Sequence, residues 1–468
     1  MPSKQPGISN SEPCRRCHDS PSVLVVRSEP LCHECFARYV HTKCIKRLES
    51  FRVNFSATAP QRRVLVPLSF GVSSIALLHI LHLHLTTQKS KTGRTGFSIH
   101  AVHIEDSYQD TQAHDLLRKV QEQYPDCQFT SLPLHDVFSI NSVDPALQAL
   151  LPEFIAGEDA DLSPQQSLTR FMASLTSAAA RADVLSILRT RLIIEHAKAT
   201  GCQSVLWGDS TTKLAEKTLS ETAKGRGYSL PWQVTDGPSP FGLNVHYPLR
   251  DVLKKELVSY INMAQPELAA LVQSSSYGAT QASTSSKNTT IDDLMKQYFE
   301  SVEENFPSIV SNVVRTTSKL QVPAGAPTEA CCSLCKMPVP GGKFGIHGWG
   351  GDQQDGIDFA SVDVSQQICY GCTRSIPKPT DSWKLGKPNT PSALGSSLII
   401  TVFIEIPLAC IAGKSIKTLV AVKASMALSP DIHWTAVLYH PIRCNRITLL
   451  SIKAGLSPDT IIKEHPPV

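Results

Sequence analysis

The stretch Val64-Leu-Val-Pro-Leu68-Ser69-Phe70-Gly71-Val72-Ser73-Ser74, followed by the apolar run Ile75–Leu85, decides the fold class. Val64–Leu68 reads as a buried strand, 69–74 as a tight loop of small residues broken by one aromatic, and Ile75–Leu85 as an apolar helix. A strand passing through such a loop into a helix aims backbone N–H groups and a helix N-terminus at one spot, which attracts phosphate. Ser73 and Ser74 are candidates to cap the helix and to donate to an anion. Strand, turn and capped helix is also a common structural unit, so the loop needs its context.

Outward from it the alternation continues. Phe97–Ile104 and Cys127–Leu134 read as strands with a helix, Thr111–Gln123, between them. Residues 141–180 look irregular, with Pro145, Pro152 and Pro164 expected to break any long element. Arg181–Thr200 is the clearest helix: Val184, Leu185, Leu188 and Leu192 recur on one face, burial is expected to fade at His196, and Gly201 is a stop. Ser204–Trp207 is a further short strand opening onto Gly208, Asp209 and Ser210, with a helix expected at Thr211–Ala223. Asp251–Ile261 and Ile291–Phe299 are helix candidates around a Ser/Thr-rich insertion, 273–290. This is the pattern of a doubly wound α/β protein with a parallel sheet.

The 468 residues carry a formal net charge of only +4, which announces no nucleic-acid partner, but residues 37–63 are locally basic. Lys43, Lys46, Arg47, Arg62 and Arg63, with Arg38 and Arg52, face a single acid, Glu49. Such a cluster can neutralise phosphates or form a solvated face. The polar Met1–Asn10 lacks a signal core, and the apolar Leu398–Ala412 is interrupted by Glu405 and Pro407 and falls short of a ~20-residue span, so a cytoplasmic protein with no membrane contact is expected.

Eight of the fourteen cysteines form four Cys-x-x-Cys pairs. Cys14/Cys17 and Cys32/Cys35, fourteen residues apart, have the spacing of a closed tetrahedral four-thiolate zinc site; an iron–sulfur cluster fits the spacing as well. Cys332/Cys335 and Cys369/Cys372 form a second set across 33 residues that include His347, with Cys331 as a spare. Four thiolates leave no open position, so both are expected to be structural zinc sites. The expected organisation is a four-cysteine zinc unit at 1–50, the α/β domain at 51–320, a second zinc unit at 321–380, and a tail at 381–468 without clear helical or strand period.

The loop resembles the PP-loop of the adenine-nucleotide alpha-hydrolases, Ser-Gly-Gly-x-Asp-Ser after the first strand. Ser69, Gly71 and Ser74 match; Phe70 replaces a glycine and Ser73 the aspartate. The resemblance implies a PP-loop-type sheet flanked by the two four-cysteine units, and an ATP·Mg²⁺ site damaged by both changes. Phe70 cannot take a positive φ cheaply, its ring would crowd a pyrophosphate, and the lost carboxylate removes a contact to magnesium.

Further segments narrow the resemblance to the cytoplasmic tRNA 2-thiolation protein 2 family over roughly residues 12–376. They are Cys14-Arg-Arg-Cys17, Cys32-His-Glu-Cys35-Phe36, the loop at 69–74, Leu188-Arg-Thr-Arg191, Gly208-Asp-Ser-Thr-Thr-Lys-Leu-Ala215, Tyr247-Pro-Leu-Arg-Asp251, Glu303-Glu-Asn-Phe-Pro307 and Cys369-Tyr-Gly-Cys372. That resemblance implies a heterodimer with a paralogous catalytic thiolation subunit, which replaces O2 of the tRNA wobble uridine with sulfur from a thiocarboxylated ubiquitin-related carrier.

Such active subunits carry relay cysteines before the Arg-rich helix and further downstream. Here Ser174–Ala182 has none, and after Asp251 the next is Cys331. Cys127 and Cys202 read as buried small hydrophobes. No catalytic residue is therefore assigned. Ser69, Gly71, Ser73, Ser74 and Asp209 remain as a degenerate nucleotide site, Asp209 being alternatively a cap for the Thr211–Ala223 helix. Arg189 and Arg191 cannot both face the cleft; Arg191 joins Lys43, Lys46, Arg47, Arg62 and Arg63 as a tRNA candidate. Arg250 and Asp251 read as an ion pair, a cap or ligands, and Lys213, Lys217, Lys224 and Arg226 as a solvated face among Glu216 and Glu221. A supporting thiolation subunit, an autonomous ATP-dependent tRNA sulfurtransferase and a zinc-dependent interaction module all remain as readings.

Overall fold

A computed structural model describes residues 12–51, 61–106, 111–138, 163–175, 177–273, 289–322, 330–339 and 367–376, with four strands beyond residue 397. Strands β1 (Leu24–Val26) and β2 (Glu29–Leu31) form an antiparallel hairpin that leads into the His33–Lys46 helix. Then β3 (Arg62–Pro67), β4 (Phe97–Glu105), β5 (Gln128–Pro133), β6 (Ser204–Leu206), β7 (Gly237–Pro238) and β8 (Asn244–His246) build one sheet in the order β5-β4-β3-β6-β8-β7. Every pairing in it is parallel except β7 with β8. The winding direction reverses between β3 and β6, and in open α/β sheets the crevice outside the carboxyl ends at that point is where ligands bind.

Val64, Leu65 and Val66 are buried because β3 lies in the middle of the sheet with both faces covered. Side chains alternate across a strand, so Val64 and Val66 enter one hydrophobic cluster and Leu65 the other. The first cluster gathers the Val72–Thr92 helix and the N-terminal Cys unit, with Phe36 and Val40 fully buried beside Ile75 and Leu78. Burying a side chain such as Phe36 contributes about 1.5–3 kcal/mol. The second cluster gathers Val184, Leu188 and Leu192 of the Ala178–Ala199 helix, together with Cys332, Leu334, Met337 and Cys369. Each cysteine unit is thus packed onto one face of the α/β core.

The expected elements are present with several shifts. The helix after the loop starts at Val72 and runs to Thr92, where Gly93 closes it at φ 69°. Its N-cap is Gly71 with no side-chain bond, so Ser73 and Ser74 lie in the first turn and do not cap it. Pro164 does not break an element: it opens the Pro164–Ser174 helix, behind a Ser163/Gln166 capping box, where its missing N–H has no intrahelical partner to lose. Pro145 and Pro152, most of the 273–290 insertion and His347 lie outside the described residues. The Asp251–Ile261 candidate is shorter, an α-helix at Lys254–Ser259 running into a π-helical turn at Tyr260–Ala264. The unit 382–468, described by itself, contains β9 (Leu398–Pro407), β10 (Lys417–Met426), β11 (His433–Tyr439) and β12 (Thr448–Lys453) in an antiparallel sheet, where the sequence suggested no strand period.

Candidate functional site

A cavity of about 800 Å³ opens at the carboxyl ends of β3, β4 and β6. The loop Ser69–Ser74 forms one wall, Trp207–Ser210 another, and His103–Asp106 at the end of β4 a third. Phe70 adopts φ 54°, the left-handed region expected of the glycine it replaces. Holding a non-glycine residue there costs roughly 1–2 kcal/mol. The ring is buried and packs on His103 with 4.6 Å between centroids, and the Phe70 carbonyl accepts from Gln273 N–H at 2.9 Å. The glycine-type turn therefore survives, offset by aromatic burial. His103 Nδ1 donates to the Leu68 carbonyl at 2.8 Å, tying the end of β4 to the loop.

Ser74 Oγ donates to the Gly71 carbonyl at 3.0 Å and lies 3.3 Å from Ser69 Oγ, so the matching serines brace the loop. Gly208 brings the β6 loop against this helix start: a Cβ there would meet Ser74 Cα at 3.1 Å and Ser74 N at 3.3 Å. Asp209 lines the cavity, and the cap of the Thr211–Ala223 helix is its neighbour Ser210, whose Oγ accepts from Lys213 N–H at 3.2 Å.

The cavity wall is charged in both senses. Arg189 Nε donates to Asp106 at 2.8 Å, its second prong meets the other carboxylate oxygen, and Lys213 pairs with Glu216 at 3.0 Å. His114 lies 3.4 Å from Glu105. Arg189 and Arg191 diverge as helical spacing requires: Arg189 lines this cavity, while Arg191, 2% exposed, lines a neighbouring one of about 450 Å³. His103, Glu105 and Asp106 were not singled out from sequence. Their signal was available, since they end the second parallel strand.

The other basic candidates sit elsewhere. Arg62 and Arg63 begin β3, at the opposite edge of the sheet from the loop, and donate to the carbonyls of Ser50 and Thr200. Lys43 lies 5.7 Å above the Tyr39 ring, Lys46 is exposed in the last turn of its helix, and Arg47 pairs with Asp251 at 2.6 Å. Arg250 pairs with Asp236 at 3.1 Å, so Arg250 and Asp251 are not each other's partners. Lys224 and Arg226 are not a solvated face. Arg226, 2% exposed, binds Asp183 and Glu221, and Lys224 reaches Asp183, Glu221 and Asp292. Burial raises the Glu221 carboxyl, but the charge of Arg226 outweighs it and the net position is down, at about 2.

No cysteine lines the cavity among the described residues. Cys202 is packed in the second hydrophobic cluster with its thiol pushed up by burial; Cys127 is half-buried, its thiol pushed up to about 11 by burial and by Asp126. Neither is an activated thiolate.

The cysteine pairs converge as expected. Cys14, Cys17, Cys32 and Cys35 bring four sulfurs within 4.8 Å of one another, and so do Cys332, Cys335, Cys369 and Cys372. The Cys17–Cys32 and Cys335–Cys369 sulfurs are 3.8 Å apart. A tetrahedron with metal–sulfur bonds of about 2.3 Å has an edge of about 3.8 Å, so both sets fit a metal ion. Cys331 is outside the second set.

A mostly parallel α/β sheet with an anion-type loop at its switch point, two four-cysteine sites and a cleft lined by no cysteine among the described residues defines the class. A family profile described as Cytoplasmic tRNA 2-thiolation protein 2 matches residues 290–344. Relatives of that name from Pyrenophora tritici-repentis (68% identical, 82% of this chain and 99% of the relative) and Phaeosphaeria nodorum (64%, 81% and 98%) extend the match. The chain belongs to the cytoplasmic tRNA 2-thiolation protein 2 family. Among solved structures, the U34-tRNA thiolase NcsA from Methanococcus maripaludis with its [4Fe-4S] cluster aligns over 70% of this chain and 93% of that one, at 15% identity and TM-score 0.47. Among the described residues no helix is long and apolar enough to cross a membrane.

Proposed function

We propose that this chain is a supporting subunit of a cytosolic complex that 2-thiolates tRNA wobble uridine, paired with a catalytic paralogue that takes sulfur from a ubiquitin-related thiocarboxylate carrier. The carrying observation is the cleft: it keeps the loop geometry at the switch point, yet no cysteine lines it among the described residues. Replacing a carbonyl oxygen by sulfur needs activation of that oxygen and a nucleophilic sulfur. The first survives here only as a loop with Phe70 and Ser73 in place of glycine and aspartate. The second is missing from the described lining of the cleft, and Cys127 and Cys202 have raised pKa values that keep them as thiols. The chain's part is then tRNA binding and assembly, with zinc as the structural ion of both four-cysteine sets. The tRNA candidates are the basic residues around Lys43, Lys46 and Arg47, with Arg62, Arg63 and Arg191. Mass spectrometry of wobble nucleosides after deletion and complementation tests the reading. Loss of 2-thiouridine on deletion, together with no thiolation by the purified chain alone, is expected; normal 2-thiouridine in the deletion strain would overturn it.

An autonomous ATP-dependent enzyme is the second reading, favoured by the retained positive φ at Phe70. ATP binding by the isolated chain that is lost in Ser74→Ala would support it.

A further inference from the structure

A polar cavity of about 110 Å³ shares none of its lining with the cleft, and four arginines converge on it. Arg27 comes from the β1–β2 turn, Arg47 from the end of the His33–Lys46 helix, Arg250 from the segment after β8, and Arg315 from the last turn of the Pro307–Thr317 helix. Bringing four guanidinium ions together is unfavourable unless negative charge meets them. Three carboxylates do so in part: Glu256 accepts from Arg27 Nε at 3.3 Å, Asp251 from Arg47 Nε at 2.6 Å, and Asp236 from Arg250 Nη1 at 3.1 Å. Among the described residues the fourth arginine, the exposed Arg315, has no carboxylate partner.

Arg250 is the buried member of the four, Arg27, Arg47 and Arg315 being exposed. It is 4% exposed and lines the cavity, while its Nη2 group is enclosed by protein and finds no hydrogen-bond partner among the described residues. A buried donor left unsatisfied costs about 1–3 kcal/mol, more when charged, so a turn of the side chain that brings Nη2 to an anion in the cavity recovers that cost. Arg27 adds an independent sign. It and Ser28 form the two-residue hairpin turn with φ 47° and 75°, a geometry normally left to Asn and Gly. The strained turn brings Arg27 to Glu256 and to the Asp251 carbonyl, 3.0 Å from its Nη2. Arg27 and Arg47 remain 37% and 40% exposed, so the cavity is open to solvent at that side. Its volume admits one tetrahedral oxyanion and excludes a nucleoside. Guanidinium forks match the oxygens of a phosphate better than any other common anion except a carboxylate.

We propose that this arginine-lined cavity holds one phosphate group of a bound RNA backbone, a site that rests on the tRNA-binding role proposed above. Free inorganic phosphate shares the chemistry, and the experiment separates the two. The full chain is titrated with tRNA transcript over a range of salt concentrations as wild type, as Arg315→Gln, and as Arg250→Lys, which keeps the charge facing Asp236 but removes the fork. Arg118→Gln, at an exposed helix position outside the cavity, is the control. Arg315→Gln should weaken binding several-fold and flatten the log affinity–log salt slope by about 0.9, one phosphate contact; Arg250→Lys should weaken binding with little change of slope, and the control should match wild type. Wild-type tRNA binding that neither Arg315→Gln nor Arg250→Lys alters would overturn the site and leave the tRNA role standing. If wild type binds no tRNA, the role itself fails. A melting temperature raised by inorganic phosphate over chloride at equal ionic strength, and lost in Arg315→Gln, would then keep the cavity as a free-phosphate site; no such rise would overturn it.

Discussion

Gly208 and Ser74 touch backbone to backbone: a methyl group on Gly208 would stand 3.1 Å from Ser74 Cα. That contact locks the loop after β6 to the first turn of the helix after β3. The neighbour is main chain and cannot rotate away, so Gly208→Ala should destabilise the fold by about 1–3 kcal/mol, the usual range for overpacking. Urea unfolding measures this, and an unchanged midpoint would show that the two loops separate freely.

At Phe70 two effects oppose each other. Replacing it with glycine relieves about 1–2 kcal/mol of left-handed strain but removes a fully buried aromatic, for which truncation costs about 3–5 kcal/mol. Burial wins. Phe70→Gly should be less stable by about 1–4 kcal/mol although it restores the glycine of the PP-loop pattern, and a stabilised variant would mean that the ring only fills space.

The buried network around Arg226 makes a pH-dependent prediction. Glu221 has a folded pKa of about 2, below its ordinary value of 4.5, so its contribution is present above pH 4.5 and is lost as pH falls towards 2. Glu221→Gln should be less stable than wild type at pH 7, and that gap should narrow below pH 4.5. A gap independent of pH would place the effect in packing.

Metal analysis of the full chain should find two equivalents of a thiophilic ion, falling to one in Cys14→Ser and in Cys369→Ser. Chelation should lower the melting temperature, because each set knits a cysteine unit to its own hydrophobic cluster. Fewer than two equivalents after reconstitution would leave one set as plain thiols.

Cys127 and Cys202 are lone thiols that stand just before strands of the parallel sheet, β5 and β6. Cys127→Ser and Cys202→Ala chains should restore wobble thiolation in a deletion strain to the wild-type level, since neither residue lines the cleft. Loss of thiolation with normal protein abundance would place a sulfur relay in this chain.

The legible part of the fold was its centre. Val64–Leu68 reads as a strand because a strand covered on both faces is a continuous apolar run, and the cysteine sets read from spacing alone. Pairing at long range was not legible. Nothing near Lys224 and Arg226 in the sequence reveals that Asp183, about forty residues earlier, draws them inside, so the interleaved Glu216 and Glu221 suggested a solvated face. Arg250 and Asp251 look like partners because they are adjacent, yet their side chains reach Asp236 and Arg47. Backbone conformation was hidden too: a positive φ at Phe70 or Arg27 contradicts residue preference, and only tertiary contacts hold it. In the cleft the matching serines were found, but the end of β4 was overlooked because its His, Glu and Asp match no motif.

The second four-cysteine set closes a stretch of 33 residues between Cys335 and Cys369, and both ends are fastened independently. Cys332–Met337 is packed in the second hydrophobic cluster, while Tyr370 lies over Gly225 and Ser375 hydrogen-bonds Asp183 at 2.7 Å. An ion held by all four thiolates would therefore act as a rivet between two segments distant in sequence, so its loss would loosen the grip of both on the same face of the core.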